Sequence, residues 1–111
     1  GTLFKNRGRY GLKTWKDEPY PLSDNIKCVN NLVSQGAQLI ITTSRPELFR
    51  EITEKQLQKH KINYSQLIMG LNHSTRVVIN DYANSNPFPS AQAINIARNY
   101  SLEPFLKLNE Y

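Results

Sequence analysis

The sequence predicts an α/β layer with a mostly parallel sheet. Three observations predict it. Segments of helical and strand character follow one another in the order helix–strand–helix–strand–strand–strand, with short loops between them. The apolar centre Leu39-Ile40-Ile41 is continuous rather than alternating, which fits a strand covered on both faces. Two apolar runs end abruptly in polar clusters, Thr43-Ser44-Arg45 and Asn80-Asp81. In open parallel sheets the ligand sits beyond such carboxyl ends.

Composition bounds the reading. A chain of 111 residues suits one domain. Hydrophobic content of 39% and aromatic content of 10% exclude a wholly disordered chain. No apolar run nears the ~20 residues a membrane helix requires, and the first residues lack the form of a signal peptide. Cys28 stands alone, so intrachain disulfides and cysteine-based zinc sites are excluded. The expectation is a reduced, soluble, cytoplasmic domain without membrane contact. It divides into a basic flap or loop (1–21), an α/β core (22–100) and a tail (101–111).

The first segment carries much of the formal charge of +5. Lys5, Arg7, Arg9, Lys13 and Lys16 are interleaved with Phe4, Tyr10 and Trp15. That mixture can track phosphates and stack on bases, or it can form a flap over an anionic small-molecule site. No nucleic-acid-binding motif accompanies it. Gly8, Gly11, Pro19 and Pro21 punctuate the stretch, which reads as a loop or short hairpin.

Ser23 then offers an N-cap, with Asp24 in the first turn. Ile26, Val29, Leu32 and Val33 recur at helical spacing, and Gly36 stands where a left-handed C-terminal residue belongs. Cys28 lies beside that face as a small inert residue. The run from Ala37 to Thr43 is the first strand. Ser44 and Glu47 have capping-box spacing and Pro46 suits an early helical position. A helix from about Pro46 to Lys59 follows, burying Leu48, Ile52 and Leu57 or their neighbours. Lys59, His60 and Lys61 put positive charge near its C-terminus. Tyr64 to Met69 reads as a short strand closed by Gly70, and Val77-Val78-Ile79 as a buried strand ending at Asn80-Asp81. Residues 84–89 form a loop. Ala91 to Arg98 reads as a strand, with a short helix as the alternative. Phe105 and Leu108 would pack the tail.

The polar strand ends suggest chemistry. A hydroxyl such as that of Thr43, beside the free N–H groups of a helix start, makes a small anion site, to which Arg45 adds a planar charged donor. Alternatively, Thr43 and Ser44 only cap the helix. Asp81, leaving an apolar strand, can hold magnesium through oxygen or water, with Asn80 orienting the shell. Alternatively, the pair only makes Asx turns. At one edge of one sheet the two clusters together form a phosphate-plus-magnesium site. His73 lies in the loop before the second cluster and could line the same mouth. His60, at a helix end, is expected to be exposed.

These segments resemble the haloacid dehalogenase-like superfamily of phosphohydrolases, over roughly residues 1–100. The likeness is greatest to small capless members of the kind found with capsule or lipopolysaccharide biosynthesis genes. Leu39-Ile40-Ile41-Thr42-Thr43-Ser44-Arg45-Pro46 looks like the strand whose terminal Thr or Ser binds the phosphoryl group, with Thr43 as the match. Val77-Val78-Ile79-Asn80-Asp81 looks like the strand whose terminal acids position magnesium, with Asp81 as the match and Asn80 where many relatives carry a second acid. Arg76 is the nearest candidate for the Lys or Arg that holds phosphate and nucleophile together.

The resemblance implies a Rossmann-like, three-layer domain and catalysis through an aspartyl phosphate with Mg2+. It also implies a small phosphorylated substrate, contacted by Thr43, Ser44, Arg45 and His73. The family's nucleophile and acid/base are the aspartates of a strand ending Asp-x-Asp-Gly-Thr. This chain opens Gly1-Thr2-Leu3, as if just after them. The expectation is therefore a sheet lacking its first, nucleophile-bearing strand, inactive on its own, with exposed strand edges that favour self-association. Two other readings stand beside it: a non-catalytic module binding a phosphate ligand or a partner, and, ranked last, a basic nucleic-acid-binding domain.

Overall fold

The computed structural model describes residues 1–6, 18–85 and 90–108. The chain is a small mixed α/β protein with a two-stranded parallel sheet and flanking helices. Helix α1 spans Ser23–Ser34. Strand β1 (Ile40–Thr42) leads through a 3-10 turn (Glu47–Phe49) into helix α2 (Arg50–Lys59) and then strand β2 (Gln66–Ile68). A short helix α3 (Glu103–Leu108) follows and packs against α1.

The ends of the first segment meet, as a hairpin would require. Phe4 and Pro21 form an antiparallel bridge, and the Lys5 N–H donates to the Tyr20 carbonyl at 2.8 Å. Arg7 to Lys16 lie outside the described residues. The pairing continues at Leu22, whose N–H donates to the Leu3 carbonyl. Leu22, rather than Ser23, is the N-cap of α1, and no side chain caps that end. Its entry is held by backbone pairing with residue 3. On its inner face Ile26 and Val29 are buried with Asn25, while Leu32 is exposed.

Helix α1 ends as its glycine predicts. Gly36 has φ 106°, its N–H donates to the Val33 carbonyl, and that of Ala37 to the Leu32 carbonyl. This is a Schellman motif. Helix α2 ends the same way without a glycine. Lys61 sits at φ 55°, its N–H donating to the Gln58 carbonyl and that of Ile62 to the Leu57 carbonyl. A left-handed lysine carries a steric cost between Cβ and carbonyl. Lys61→Gly is therefore expected to stabilise the protein by about 0.5–1 kcal/mol, the relief exceeding the added unfolded-state entropy. Thermal denaturation of the two proteins checks this.

The strands pair in parallel with Ile40 beside Gln66, Ile41 beside Leu67 and Thr42 beside Ile68. Ile41 and Leu67 face the core, which gathers Ile26, Phe49, Leu57, Ile62, Leu67 and Met69. Ile40 and Ile68 face outward and are exposed. The sheet is therefore covered on one face, where the continuous apolar run predicted two. The expected 46–59 helix is present as a 3-10 turn and α2, burying Phe49 and Leu57 while Leu48 is exposed.

Two predicted strands are absent among the described residues. Val77-Val78-Ile79 forms none, and Ile79 is 94% exposed. Residues 91–98 form neither strand nor helix. A strand needs a ladder partner, and the described sheet holds only β1 and β2. The 77–79 run has strand composition but no strand beside it.

Asparagine side chains close several of the turns. Asn25 donates to the Thr2 and Tyr100 carbonyls and accepts from the Leu102 N–H. Asn30 donates to the Lys61 carbonyl and accepts from the Asn63 N–H. Asn99, at φ 69°, accepts from the Asn6 N–H at 2.7 Å and donates its own N–H to the Gly1 carbonyl. Asn tolerates this left-handed backbone better than most residues.

Candidate functional site at the carboxyl end of β1

Parallel pairing fixes which end of the sheet carries the chemistry. The Thr43 N–H donates to the Ile68 carbonyl and the Leu71 N–H to the Thr43 carbonyl, so the ladder continues to the point where Thr43-Ser44-Arg45 leaves β1. The Thr43 hydroxyl accepts from the Arg45 N–H at 3.2 Å. This is a local turn, not a helix cap. The N-cap of the 3-10 turn is Pro46 and no side chain caps it. The expected capping box is replaced by an ion pair, because Glu47 takes the Arg50 guanidinium at 2.7 Å. That pair is exposed and contributes little to stability. It draws the Glu47 carboxyl below its usual range through the Arg50 hydrogen bond. Ser44 is half-buried in the same turn.

Arg45 is the unusual member of the cluster. Its Nη1 donates to Thr53 Oγ1 at 3.1 Å and to Gln56 Oε1 at 2.8 Å. Both partners lie on α2 and are buried, at 5% and 4% exposure. Both are neutral. Desolvation lowers the pKa of the guanidinium, and among the described residues no carboxylate pairs with it. The Gly70 N–H donates to the Arg45 carbonyl at 2.8 Å and fixes the backbone there.

The second predicted cluster is placed differently. Asn80 and Asp81 are exposed and follow no strand, so they do not share a sheet edge with Thr43 among the described residues. Asn80 Nδ2 donates to the Asp81 carbonyl and to Ser90 Oγ at 2.9 Å. Arg76 closes its own loop, Nη1 donating to the Asn72 carbonyl at 2.8 Å and to the Ser74 carbonyl. His73 is exposed in that loop.

His60 is not the exposed residue its position predicts. It is half-buried, edge-on to Phe4 with ring centroids 5.5 Å apart, and Nε2 lies 3.5 Å from the Glu18 carboxylate. It lines an open cleft of about 340 Å³ with Ser23, Lys27 and Asn31. In a parallel βαβ unit the C-terminus of α2 lies at the opposite end of the sheet from Thr43, so this cleft is remote from the Arg45 cluster.

Sequence reasoning missed one contact at the first residue. Arg98 packs its Cα, Cβ and Cγ against Gly1, and the following residue hydrogen-bonds the Gly1 carbonyl. Nothing in the spacing around Arg98 marks it. Only the left-handed tendency of Asn99 hints at a turn there. The class defined by fold and site is a small α/β chain with an arginine at the end of its sheet that has no carboxylate partner among the described residues. Comparison with protein families, with characterised proteins and with solved structures returns no match.

Proposed function

We propose that this chain is the phosphate-holding part of a magnesium-dependent phosphohydrolase acting through an aspartyl phosphate, built on a Rossmann-like, haloacid dehalogenase-like sheet. The observation that carries the reading is Arg45. Its guanidinium is partly desolvated and hydrogen-bonded to neutral Thr53 and Gln56, and its backbone N–H donates to the Thr43 hydroxyl at the carboxyl end of a parallel strand. In the proposal, Thr43 and Ser44 bind phosphoryl oxygens and Arg45 neutralises them. Arg76 and His73 reach the same ligand from their loop.

The nucleophile belongs, in this reading, to a strand upstream of Gly1. The outer face of the described sheet and the exposed Val77-Val78-Ile79 run support it. An added strand would let that run pair, each side chain it buries contributing about 1.5–3 kcal/mol. Asp81 offers an exposed carboxylate and Asn80 an amide oxygen. Among the described residues no three His, Cys, Asp or Glu side chains gather. The pair thus fits magnesium only as part of a shell completed by upstream aspartates, as suits an ion bound through one or two carboxylates and water. When bound, the ion neutralises phosphate charge. The proposal includes a cytoplasmic location, consistent with the lone thiol Cys28. No described helix is long and apolar enough to cross a membrane.

Intact mass of the native protein defines what precedes Gly1, and phosphate release from a phosphoester panel then tests the reading. Magnesium-dependent release, reduced about 10²-fold by Thr43→Val, is the expected result. A native form that releases no phosphate from any phosphoester sinks the reading. The neutral surroundings of Arg45 also favour a second one, phosphate binding without turnover. The nucleic-acid reading rests on Lys5, Arg7, Arg9 and Lys13. Of these only Lys5 is described, its ammonium 5.8 Å from the centroid of the Tyr20 ring.

A further inference from the structure

His60, at the end of α2, meets both arms of the first segment. Its ring stands edge-on to Phe4, with centroids 5.5 Å apart. Its Nε2 lies 3.5 Å from Oε1 of Glu18, and Lys59 Nζ lies 3.0 Å from the same oxygen. The two arms are joined to each other by the Phe4–Pro21 bridge and by the hydrogen bonds from the Lys5 N–H to the Tyr20 carbonyl and from the Leu22 N–H to the Leu3 carbonyl. The base of the first segment therefore rests on the C-terminal end of α2 through Phe4 and Glu18. His60 and Pro21 line the cleft at this junction, together with Ser23 and Lys27 of α1.

The Nε2 atom of His60 is buried and has no hydrogen-bond partner among the described residues. At 3.5 Å, Glu18 is too distant for a good bond. A neutral imidazole carries one N–H, whereas the protonated ring carries an N–H on both nitrogens and a positive charge. Protonation therefore aims a charged donor at a carboxylate already in place, and such bonds close to about 2.7–2.9 Å. The Glu18 carboxyl lies below its usual range, first through its hydrogen bond with Lys59. It stays ionised across the pH range in which histidines change charge. Three ammonium groups oppose a further positive charge here. Lys27 lines the same cleft from α1, and Lys59 and Lys61 flank His60 in the chain. Lys59 is directed at Glu18, and Lys27 and Lys61 are exposed to solvent, which screens them. Glu18 is the nearer charge and the one positioned to accept the proton-bearing nitrogen.

We propose that His60 and Glu18 form a proton-operated clasp between the first segment and the end of α2. With His60 protonated, the Nε2–H donates to Glu18 and the base of the segment is held on α2. With His60 neutral, that bond is absent, the base opens more often and the cleft widens. The contribution is present at acid pH and is lost as pH rises through the histidine range. The clasp lies at the end of the sheet remote from Thr43, so it stands independently of the phosphate reading.

The test is amide hydrogen exchange of the full chain at about pH 5.5 and pH 7.5, read as protection factors so that the intrinsic pH dependence of exchange cancels. The Lys5 and Leu22 amides, which join the two arms, report opening of the base. The Thr43 and Leu71 amides, at the far end of the sheet, are the control. The expected result is protection of Lys5 and Leu22 about three- to fivefold higher at the lower pH, the worth of a partly exposed ion pair, with Thr43 and Leu71 unchanged. Glu18→Gln abolishes that ratio. Glu18 is exposed, so this variant is expected to fold, and circular dichroism verifies it. His60→Phe abolishes the ratio as well while keeping a ring against Phe4, which separates the proton from the packing. A ratio near one in the parent overturns the clasp. So does a ratio that survives either substitution, or one that Thr43 and Leu71 share, since that reports global stability rather than this junction.

Discussion

Asn25→Ala is expected to destabilise the protein by about 3 kcal/mol, because three backbone groups on two segments lose their shared partner. Asn25 is 2% exposed. Its Nδ2 donates to the Thr2 carbonyl at 2.9 Å and to the Tyr100 carbonyl at 2.8 Å, and its Oδ1 accepts from the Leu102 N–H at 2.9 Å. Alanine would leave these backbone groups without that partner. The chain start keeps its backbone pairing with Leu22, and the 103–108 helix its packing on α1, so the loss falls on the junction of residue 2 with residues 100–102. Asn25→Asp is the sharper variant. It keeps the acceptor for Leu102 but turns a carboxylate towards two carbonyl oxygens. It should cost more than alanine at neutral pH. Chemical denaturation measures both. A loss below about 1 kcal/mol for alanine would mean that the two segments are held to α1 by something other than Asn25.

The same residue shows where the sequence was legible and where it was not. The local signals worked where local physics decides. Gly36 ends α1 in the left-handed region, and Gly70 follows β2 at φ 75°. The apolar runs around Ile41 and Leu67 became paired strands, with the Pro46–Lys59 segment helical between them. Ser23 and the Ser44–Glu47 pair misled, because a competing partner was available in each case. Leu22 pairs with Leu3, and Glu47 pairs with Arg50. Val77-Val78-Ile79 misled for a different reason. Strand composition is a statement about what a segment could pair with, and here the described sheet offers nothing beside it. In the candidate site, the position of Thr43 and Arg45 at the end of a parallel strand was legible from the apolar run that precedes them. Outside it, the packing of Arg98 on Gly1 was not legible, because it is set by a turn at Asn99 and by long-range packing that no spacing rule encodes.

The other large effect concerns Arg45, whose guanidinium joins fold and site. Arg45→Met removes the donor that Thr53 Oγ1 and Gln56 Oε1 share, each lost hydrogen bond costing about 1–3 kcal/mol. It also removes a half-buried charge whose desolvation is unfavourable, and this offsets part of the loss. A net destabilisation of about 2 kcal/mol is expected. Phosphate affinity should fall about 10–100-fold, the worth of a charge-assisted hydrogen bond to an anion. Stability and binding must then be separated, since a loosened β1–α2 junction would by itself displace Thr43. The triple variant Arg45→Met, Thr53→Val, Gln56→Leu does so. Replacing donor and acceptors together by apolar groups of similar shape is close to neutral. Stability should return to near that of the parent while inorganic phosphate binding stays lost, as followed by calorimetry at fixed pH and salt. If the triple variant regains phosphate binding along with stability, Arg45 is a strut between β1 and α2, and the anion site at the end of β1 falls with it. If binding stays lost in a protein of restored stability, the cation is there for the ligand. Its neutral partners are then intelligible, because a carboxylate in their place would occupy the position the phosphate takes.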